Sequence, residues 1–362
     1  MNRRELLKAS FALPASALLS CSATDINKAD YLISATYNHK GDHQLLVQQL
    51  SNTIEAAYPM PFRGHDVLLD EQRIIVFGRR PETRCFVIDL QTRQTQIVQA
   101  AKHRHFYGHG VILESTLLTT ENNYGDGIGV IGIRDRHSLQ TLGEYSSYGI
   151  GPHDCQLLPD GKTLVVANGG MQTHPETGYR TLNKNSIAPS LVLIDVQSGN
   201  KIDEFRLEDN LLSIRHLSVS ADGSVAAALQ YQGNAYQATP ESLVAWLTPA
   251  GNFRLLESKH TAIKAMRGYM GDIAWHQTSK VLAVTSPKGN QVTFWNPERK
   301  RHSWSLNVAE ACGVVSNESG FIVSTQTGAL LHIKASHTPV ASQELLAAQD
   351  SFAWDNHAQL LS

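Results

Sequence analysis

A short motif recurs along the chain and limits its fold more than any other feature. Each copy contains an apolar strand, a tight turn and a second apolar strand, followed by two weaker strands. The clearest copy covers residues 151–168 and turns at Pro159-Asp160-Gly161-Lys162. Proline presets φ in such a turn and glycine accepts positive φ. Because helical periodicity is nearly absent, the repeat predicts a series of small four-stranded sheets.

The first strands of the copies give the number of repeats. Aligned with one another, they start at His65, His109, His153, His216, Gly271, Cys312 and Ser351. The spacings of 44, 44, 63, 55, 41 and 39 residues match the size of a propeller blade. Only one strand, 351–354, remains for the last copy, and the expected partner strands are 31–37, 43–49 and 53–57.

These observations predict an all-β protein, a seven-bladed β-propeller whose last blade is closed by N- and C-terminal strands. Closing the ring in this way removes the open sheet edges that would invite aggregation. The alternative is a pair of eight-stranded sandwiches, which would leave the regular period unexplained.

The start of the chain predicts an export signal. Arg3 and Arg4 precede a weakly apolar stretch, 9–20, which is shorter than the roughly 20 apolar residues that span a bilayer. The arginine pair resembles a twin-arginine signal. The sequence Leu18-Leu19-Ser20-Cys21 resembles a lipobox, in which Cys21 would be lipidated; simple cleavage with an incidental cysteine is the alternative.

The expected organisation is therefore a signal with a lipobox over 1–21, a short linker over 22–30 and a single propeller domain over 31–362. The predicted location is the periplasm. We expect a monomer whose only membrane contact is a lipid anchor on Cys21.

Composition and missing motifs exclude several classes of function. Thirty-one Lys and Arg against 33 Asp and Glu give a net charge of -2, so nucleic acid is not an expected partner. The four cysteines contain no CxxC pair, which argues against a disulfide scaffold or a zinc site. The sequence contains no GxSxG, HExxH, phosphate-loop or CxxCH motif, and it assigns no catalytic residue.

Four histidines share one register of the repeat and predict a metal site. His65, His109, His153 and His216 would surround the mouth of the central channel on four consecutive blades, and neutral imidazole binds Fe, Cu, Zn and Ni. The alternative is that each histidine only hydrogen-bonds a neighbouring loop. Asp66 and Asp154 follow two of these histidines and are expected to point away from them, because side chains alternate along a strand.

Glu121 and Cys312 are lesser candidates for the metal, and the alternative role for Glu121 is turn capping. The loops after the second strands would surround the same mouth, and three arginines there could clamp a carboxylate or a phosphate. The predicted ligand-binding residues are Arg79, Arg80, Asn122, Asn168, Arg215, Gln230 and Tyr231. An insertion over 169–189 explains the longest spacing and predicts a lid over this face.

Three pairs of segments resemble the DUF1513 family of bacterial exported propellers of undefined function. They are 108–111 with 119–122, 149–155 with 167–170, and 213–217 with 230–233. The resemblance covers roughly residues 31–357 and, more distantly, extends to YVTN-type and lactonase-type propellers. It implies a link to periplasmic iron, because such proteins are often encoded beside imelysin-like iron-regulated lipoproteins and di-haem oxidoreductase-like proteins.

Three functions remain open from the sequence. The first is a periplasmic protein that binds a transition metal, with iron favoured, or a metal chelate, and that serves iron uptake or homeostasis with imelysin-like partners. The second is a lactonase-like or quinoprotein-like enzyme acting on a small anionic substrate, with Glu121 or a channel histidine as base. The third is a non-catalytic scaffold that recruits a protein through its top face.

Overall fold

The computed structural model describes residues 31–340, 343–349 and 351–361. The predicted signal, Cys21 and the predicted linker lie outside these residues. Within them, no helix is long and apolar enough to cross a membrane.

Seven four-stranded antiparallel sheets make up the described chain. The strands of the first half are β1 (Tyr31–Asn38), β2 (His43–Gln49), β3 (Ile54–Met60), β4 (Gly64–Asp70), β5 (Arg73–Gly78), β6 (Arg84–Asp89), β7 (Thr95–Gln99), β8 (Arg104–Ile112), β9 (Thr116–Asn123), β10 (Ile128–Asp135), β11 (Thr141–Ser146), β12 (Pro152–Leu157), β13 (Thr163–Asn168), β14 (Ser190–Asp195) and β15 (Lys201–Phe205).

The strands of the second half are β16 (Leu212–Val219), β17 (Val225–Tyr231), β18 (Val244–Leu247), β19 (Phe253–Leu255), β20 (Ile273–His276), β21 (Val281–Ser286), β22 (Gln291–Asn296), β23 (Arg301–Asn307), β24 (Ala311–Asn317), β25 (Gly320–Thr325), β26 (Ala329–Lys334), β27 (Glu344–Ala348) and β28 (Phe352–Leu361). One short helix, α1 (His260–Ala265), and two 3-10 turns, Pro175–Thr177 and Pro287–Gly289, complete the described elements.

The sheets form the seven blades of a β-propeller, as predicted. Blades 1 to 6 are β4–β7, β8–β11, β12–β15, β16–β19, β20–β23 and β24–β27, and blade 7 has the order β28-β1-β2-β3. Strand β28 pairs with β1 from Tyr31 opposite Leu361 to Asn38 opposite Phe352. Blade 7 therefore contains both ends of the described chain, and this prediction is confirmed.

The hydrophobic core lies between neighbouring blades. Ile33 and Val47 of blade 7, for example, belong to one buried cluster with Val76 and Phe86 of blade 1. Their strands are rich in β-branched and aromatic residues, which pack well on a pleated surface. Each such side chain stabilises the fold by about 1.5–3 kcal/mol when fully buried, so blade-to-blade packing holds the ring together.

The innermost strand of a blade lines the pore, and its pairing is irregular where it carries a pore histidine. The register shifts between Gly64 and Val67 in blade 1 and between Pro152 and Asp154 in blade 3. Equivalent shifts bracket the histidine in blades 2, 4 and 7. A β-bulge interrupts the alternation of side chains and redirects one of them. Two consecutive residues can therefore both face the pore.

Candidate metal centre

Five histidine side chains meet on the axis of the propeller, and one of them was not predicted. They come from the innermost strands of blades 1, 2, 3, 4 and 7, and each is at most 5% exposed. The distance between ring centroids is 4.4 Å for His216 and His357 and 6.0 Å for His65 and His216. This histidine cluster consists of His65, His109, His153, His216 and His357.

Each ring of the histidine cluster keeps one buried nitrogen without a hydrogen-bond partner in the described structure. These atoms are His65 Nδ1, His109 Nε2, His153 Nε2, His216 Nδ1 and His357 Nε2. A buried polar group without a partner costs about 1–3 kcal/mol, and such groups are rare in native proteins. Five of them around one point indicate a binding site.

Two of the five imidazoles are held by carboxylates. His109 Nδ1 lies 3.1 Å from Asp66 Oδ2 and 3.5 Å from Asp154 Oδ1, and His357 Nδ1 lies 3.1 Å from Asp272 Oδ1. A carboxylate only accepts hydrogen bonds, so each Nδ1 donates its proton to it. In neutral His109 and His357 the lone pair is then on Nε2, the arrangement found in metal-binding histidines.

His153 has the opposite arrangement. Its Nδ1 lies 3.3 Å from Arg215 Nη1, and a guanidinium can only donate. The lone pair of His153 is therefore on Nδ1, and the proton of the neutral ring is on Nε2. The free nitrogen of this ring is in the wrong tautomer to bind a metal.

Two sets of three histidines have their nitrogens within 4.8 Å of one another: His65 with His109 and His153, and His109 with His216 and His357. We call the second set the channel triad. It contains both imidazoles that carboxylates support, whereas the first set contains His153 in the wrong tautomer. Nitrogens bound to one ion at about 2.1 Å lie roughly 3–3.5 Å apart. Metal binding would therefore draw the three rings of the channel triad together.

The channel triad faces a wide cavity inside the propeller. This cavity has a volume of about 1120 Å³ and extends along the innermost strands to Asn317 and Glu318 at the end of β24. All three members of the triad line it, together with Asp66, Asp154 and Asp272. The wall of this cavity therefore contains these three carboxylates beside three imidazoles.

A smaller cavity lies at the other end of the histidine cluster and brings together four of the predicted ligand-binding residues. Its volume is about 40 Å³. His65, His153 and His216 form one wall, and Tyr179, Tyr269 and Asn356 also line it. The four predicted ligand-binding residues that line it are Arg79, Arg80, Arg215 and Gln230. We call it the arginine cavity.

Burial and nearby charges shift the pKa values of the cluster in two directions. Burial, followed by the charges of neighbouring histidines and arginines, holds the pKa of His65, His153 and His216 well below the usual value. Burial also opposes the charge on His109, but the carboxylates of Asp154 and Asp66 outweigh it and raise that pKa to about 9. Three of the rings are thus neutral at pH 7, and His109 carries the positive charge.

Burial and the charge of His109 also shift the pKa values of the neighbouring carboxyl groups. Burial raises the pKa of Asp154 to about 6. Burial also opposes the charge of Asp66, but the adjacent His109 outweighs it, and the pKa of Asp66 is lowered. At neutral pH both carboxylates are ionised and face the imidazolium of His109.

Glycine at position 108 makes room for the cluster. Gly108 has φ of +114°, and a Cβ atom at this position would lie 2.3 Å from His65 Cδ2. Any larger residue would therefore displace the His65 ring and strain the backbone. The sequence Gly108-His109 thus serves two rings of the cluster.

Glu121 and Cys312 lie away from the cluster. Glu121 forms a buried ion pair with Arg134 at 3.0 Å and accepts a hydrogen bond from Thr119. The Cys312 thiol hydrogen-bonds Ser324 inside a hydrophobic cluster, and burial raises its pKa to about 12. Neither side chain is placed to bind a metal on the pore axis.

Three predicted ligand-binding residues do not line the arginine cavity. Asn122 Nδ2 donates to Thr173 O at 3.0 Å, and Asn168 Nδ2 donates to Ser147 O at 2.9 Å. Tyr231 packs against the hydrophobic core around blade 4. The contact of Asn122 anchors the insertion, whereas the contacts of Asn168 and Tyr231 are internal to the propeller.

The insertion over 169–189 covers the face on which the arginine cavity lies. Met171 O accepts a hydrogen bond from the Tyr107 hydroxyl at 2.7 Å, and Met171 Sδ lies 3.5 Å from Arg215 Nη2. Arg79 lies over the ring of Tyr179 at 5.9 Å. These contacts place the insertion where the sequence predicted a lid.

Two expectations about the pore residues are wrong. In blade 7 the pore residue is His357 rather than Ser351, because β28 is ten residues long and its pore position lies near the middle. Asp66 and Asp154 do not point away from the histidines, since the bulges break the alternation on which that expectation depended. In blade 5, Asp272, next to the predicted Gly271, contacts the cluster through His357. The sequence Asn356-His357 before an apolar run was the available signal.

Fold and site together define an all-β propeller with five histidines clustered in its pore. The family described as "Protein of unknown function (DUF1513)" matches residues 58–361, and the chain belongs to this family. The search of curated proteins gave no significant match.

Among solved structures, a chain of the hydrazine synthase of Kuenenia stuttgartiensis matches with a TM-score of 0.62 at 15% identity, covering 83% of this chain and 95% of that one. A likeness at this identity shows the propeller fold and nothing about the reaction.

Proposed function

We propose that this protein is an exported binding protein for a transition-metal ion, which the channel triad of His109, His216 and His357 holds inside the pore. One observation carries the proposal. Carboxylates accept the Nδ1 protons of His109 and His357, so both Nε2 atoms can face a shared ion beside a third free imidazole nitrogen, on His216, once His109 has lost its second proton.

The chemistry of the donor set selects the class of metal. Three neutral imidazoles suit Fe, Cu, Zn and Ni, whereas Mg and Ca prefer oxygen ligands. Three protein ligands leave at least one coordination position open for a water molecule or another group. Iron is the first metal to test, because the sequence resemblance implies a link to periplasmic iron.

The surroundings of the triad favour a cation that arrives through the wide cavity. Asp66, Asp154 and Asp272 line the cavity next to the three histidines. Their charges attract a divalent ion and compensate its charge after binding. Delivery by imelysin-like iron-uptake proteins in the periplasm is consistent with such a role and remains part of the proposal.

The enzyme alternative loses Glu121, one of its two candidate bases. Glu121 is 2% exposed and paired with Arg134, so it is unavailable to a substrate. The other candidate base, a channel histidine, stays available, and we favour binding over turnover because three such rings can share one ion.

The proposal is tested by measuring metal in the full-length protein. Protein purified after export is analysed for bound elements, stripped with a chelator and titrated separately with Fe²⁺, Cu²⁺, Zn²⁺ and Ni²⁺. We expect one ion per chain. The double variant His109→Ala/His357→Ala should lose it, and His137→Ala is the matched control, since His137 is exposed and far from the pore.

Folding of each variant is checked by circular dichroism and thermal unfolding. A folded wild-type protein that binds none of the four ions more tightly than the double variant would overturn the proposal.

A further inference from the structure

The arginine cavity contains positive charge without matching negative charge. Arg79 is paired with Asp355 at 3.0 Å, but Arg63 already occupies the same carboxylate at 2.6 Å. Among the described residues, no carboxylate forms an ion pair with Arg80 or Arg215. Two guanidinium groups therefore line a small cavity in which no carboxylate pairs with them.

The buried nitrogen atoms of these arginines lack partners. In the described structure, Arg80 Nη1 and Arg215 Nε are both buried and make no hydrogen bond. Arg215 is 1% exposed, and its remaining contacts are to neutral acceptors, His153 Nδ1 and Met171 Sδ. Leaving a buried charge unpaired costs several kcal/mol, so an anionic partner would relieve a substantial penalty.

From this geometry we propose a second ligand site: the arginine cavity binds a small oxyanion, a carboxylate or phosphate group, through Arg80 and Arg215. A guanidinium presents a planar fork of donors that matches two oxygens of such a group. The site is independent of the metal; only its coupling to the metal, described below, depends on the proposed function.

The size of the cavity limits the anion. A single water molecule needs about 10–15 Å³ of such space, so 40 Å³ accommodates a few water molecules or one small oxyanion. Tyr179 of the insertion lies among the residues that line it. A large organic anion would have to displace this insertion, whereas carbonate, acetate or inorganic phosphate would not.

The charge state of the arginines is consistent with an anion site. Burial, together with the charge of Arg80, lowers the pKa of Arg215 to about 9. Arg215 is still a cation at pH 7, and an anion beside it would offset first the cost of burying this charge and then its repulsion with Arg80.

The two sites share one wall. His216 belongs to the channel triad and also lines the arginine cavity. An anion there would lie beside a bound cation and attract it across the same imidazole. We therefore expect positive coupling: the anion raises metal affinity, and by linkage the metal raises anion affinity by the same factor.

Calorimetry on the full-length, metal-free protein tests the site. Phosphate, carbonate and acetate are titrated separately at constant ionic strength, with chloride as the monatomic comparison. We expect one oxyanion per chain, and affinity at least about tenfold lower in Arg80→Gln and in Arg215→Met. Arg299→Gln is the matched control, because Arg299 is exposed on the outer edge of blade 5.

The outcomes separate the two proposals. Anion binding that the arginine variants lose supports the second site even if no metal binds. A protein that binds metal but none of the three oxyanions at millimolar concentration overturns the second site and leaves the metal centre standing. If Arg215→Met fails to fold, Arg80→Gln and the wild-type titration still decide the question, since Arg80 is only partly buried.

A repeat of the metal titration with and without the preferred oxyanion measures the coupling. Metal affinity that rises several-fold with the anion in wild type, and not in Arg80→Gln, supports it. If the anion does not change the metal affinity of the wild-type protein, the coupling is contradicted. The existence of the anion site is then decided by the calorimetry alone.

Discussion

Histidines form both ends of the histidine cluster, but the charged groups that contact them have opposite signs at the two ends. Toward the wide cavity, carboxylates bind Nδ1 of His109 and His357 and leave Nε2 of each ring without a protein partner. Toward the arginine cavity, a guanidinium donates to His153 and fixes the other tautomer. A histidine alone therefore does not indicate a metal ligand; the group on its second nitrogen decides what it can bind.

The largest expected effect concerns protonation of the metal-free protein. In the unfolded chain, His65, His153 and His216 bind protons below about pH 6.5. In the folded protein their pKa values are lowered, so these rings stay neutral. His105, with a pKa of about 4, adds to this effect, and Asp154, with a pKa of about 6, opposes it. Stability should therefore fall as the pH drops from about 6 to 5, by up to about 1.4 kcal/mol per pH unit for each proton that only the unfolded chain binds.

Urea unfolding in the presence of a chelator measures this slope. His153→Ala should flatten it by at most about 1.4 kcal/mol per pH unit, and His137→Ala, a substitution on the exposed surface, is the control. Above about pH 6.5 the sign reverses: His109, whose pKa is raised to about 9, contributes stability that is lost as the pH rises toward 9. Stability that does not change across this range contradicts the assigned charges.

The second prediction compares one histidine from each end. His357→Ala removes a ligand of the channel triad and should reduce metal affinity by roughly 100-fold or more, since loss of a mere supporting residue already costs about 10–100-fold. His153→Ala should cost less than about tenfold. Competition with a chromophoric chelator gives both affinities, and equal losses would show that the ion is not confined to the channel triad.

The third prediction concerns the carboxylate behind His357. In the wild-type protein, Asp272 Oδ2 accepts a hydrogen bond from the Val314 amide at 2.9 Å. Asp272→Asn keeps an oxygen for this bond but removes the negative charge beside His357 Nδ1. Metal affinity should fall about 10–100-fold. Asp222→Asn, on an exposed turn of blade 4, is the control. Unchanged affinity in Asp272→Asn would argue that the carboxylate is only a structural contact.

The smallest effect is the pH dependence of metal binding. A metal ion must displace the proton that His109 carries below its pKa of about 9. Apparent affinity should therefore rise about tenfold from pH 7 to pH 8 and level off above about pH 9. The chelator competition repeated at each pH measures it. The anion-facing end contributes no such proton, because His65 and His153 are already neutral.

Sequence reasoning predicted the fold because the signals for it are local. Turn residues and alternating apolar runs repeat once per blade, and the short last copy required partners from the other end of the chain. The same reasoning brought His65, His109, His153 and His216 to one place, since residues at equivalent repeat positions lie around one axis.

It missed His357 and the roles of the aspartates for physical reasons. In β28 one apolar run, Phe352-Ala353-Trp354, precedes His357 and a second, 358–361, follows it; alignment on the first run selected Ser351. The inward turn of Asp66 and Asp154 depends on bulges, which pairing between two strands creates and which no single strand reveals. The tautomer of each ring depends on contacts between blades and is visible only in three dimensions.

The position of His357 on the strand that completes blade 7 sets an order of events. A ribosome delivers β28 after every other strand of the ring, so a nascent chain offers two members of the channel triad and lacks the third. Docking of β28 onto β1 therefore completes the channel triad. A bound ion would link this final strand to blades 2 and 4 and would stabilise the pairing of β28 with β1.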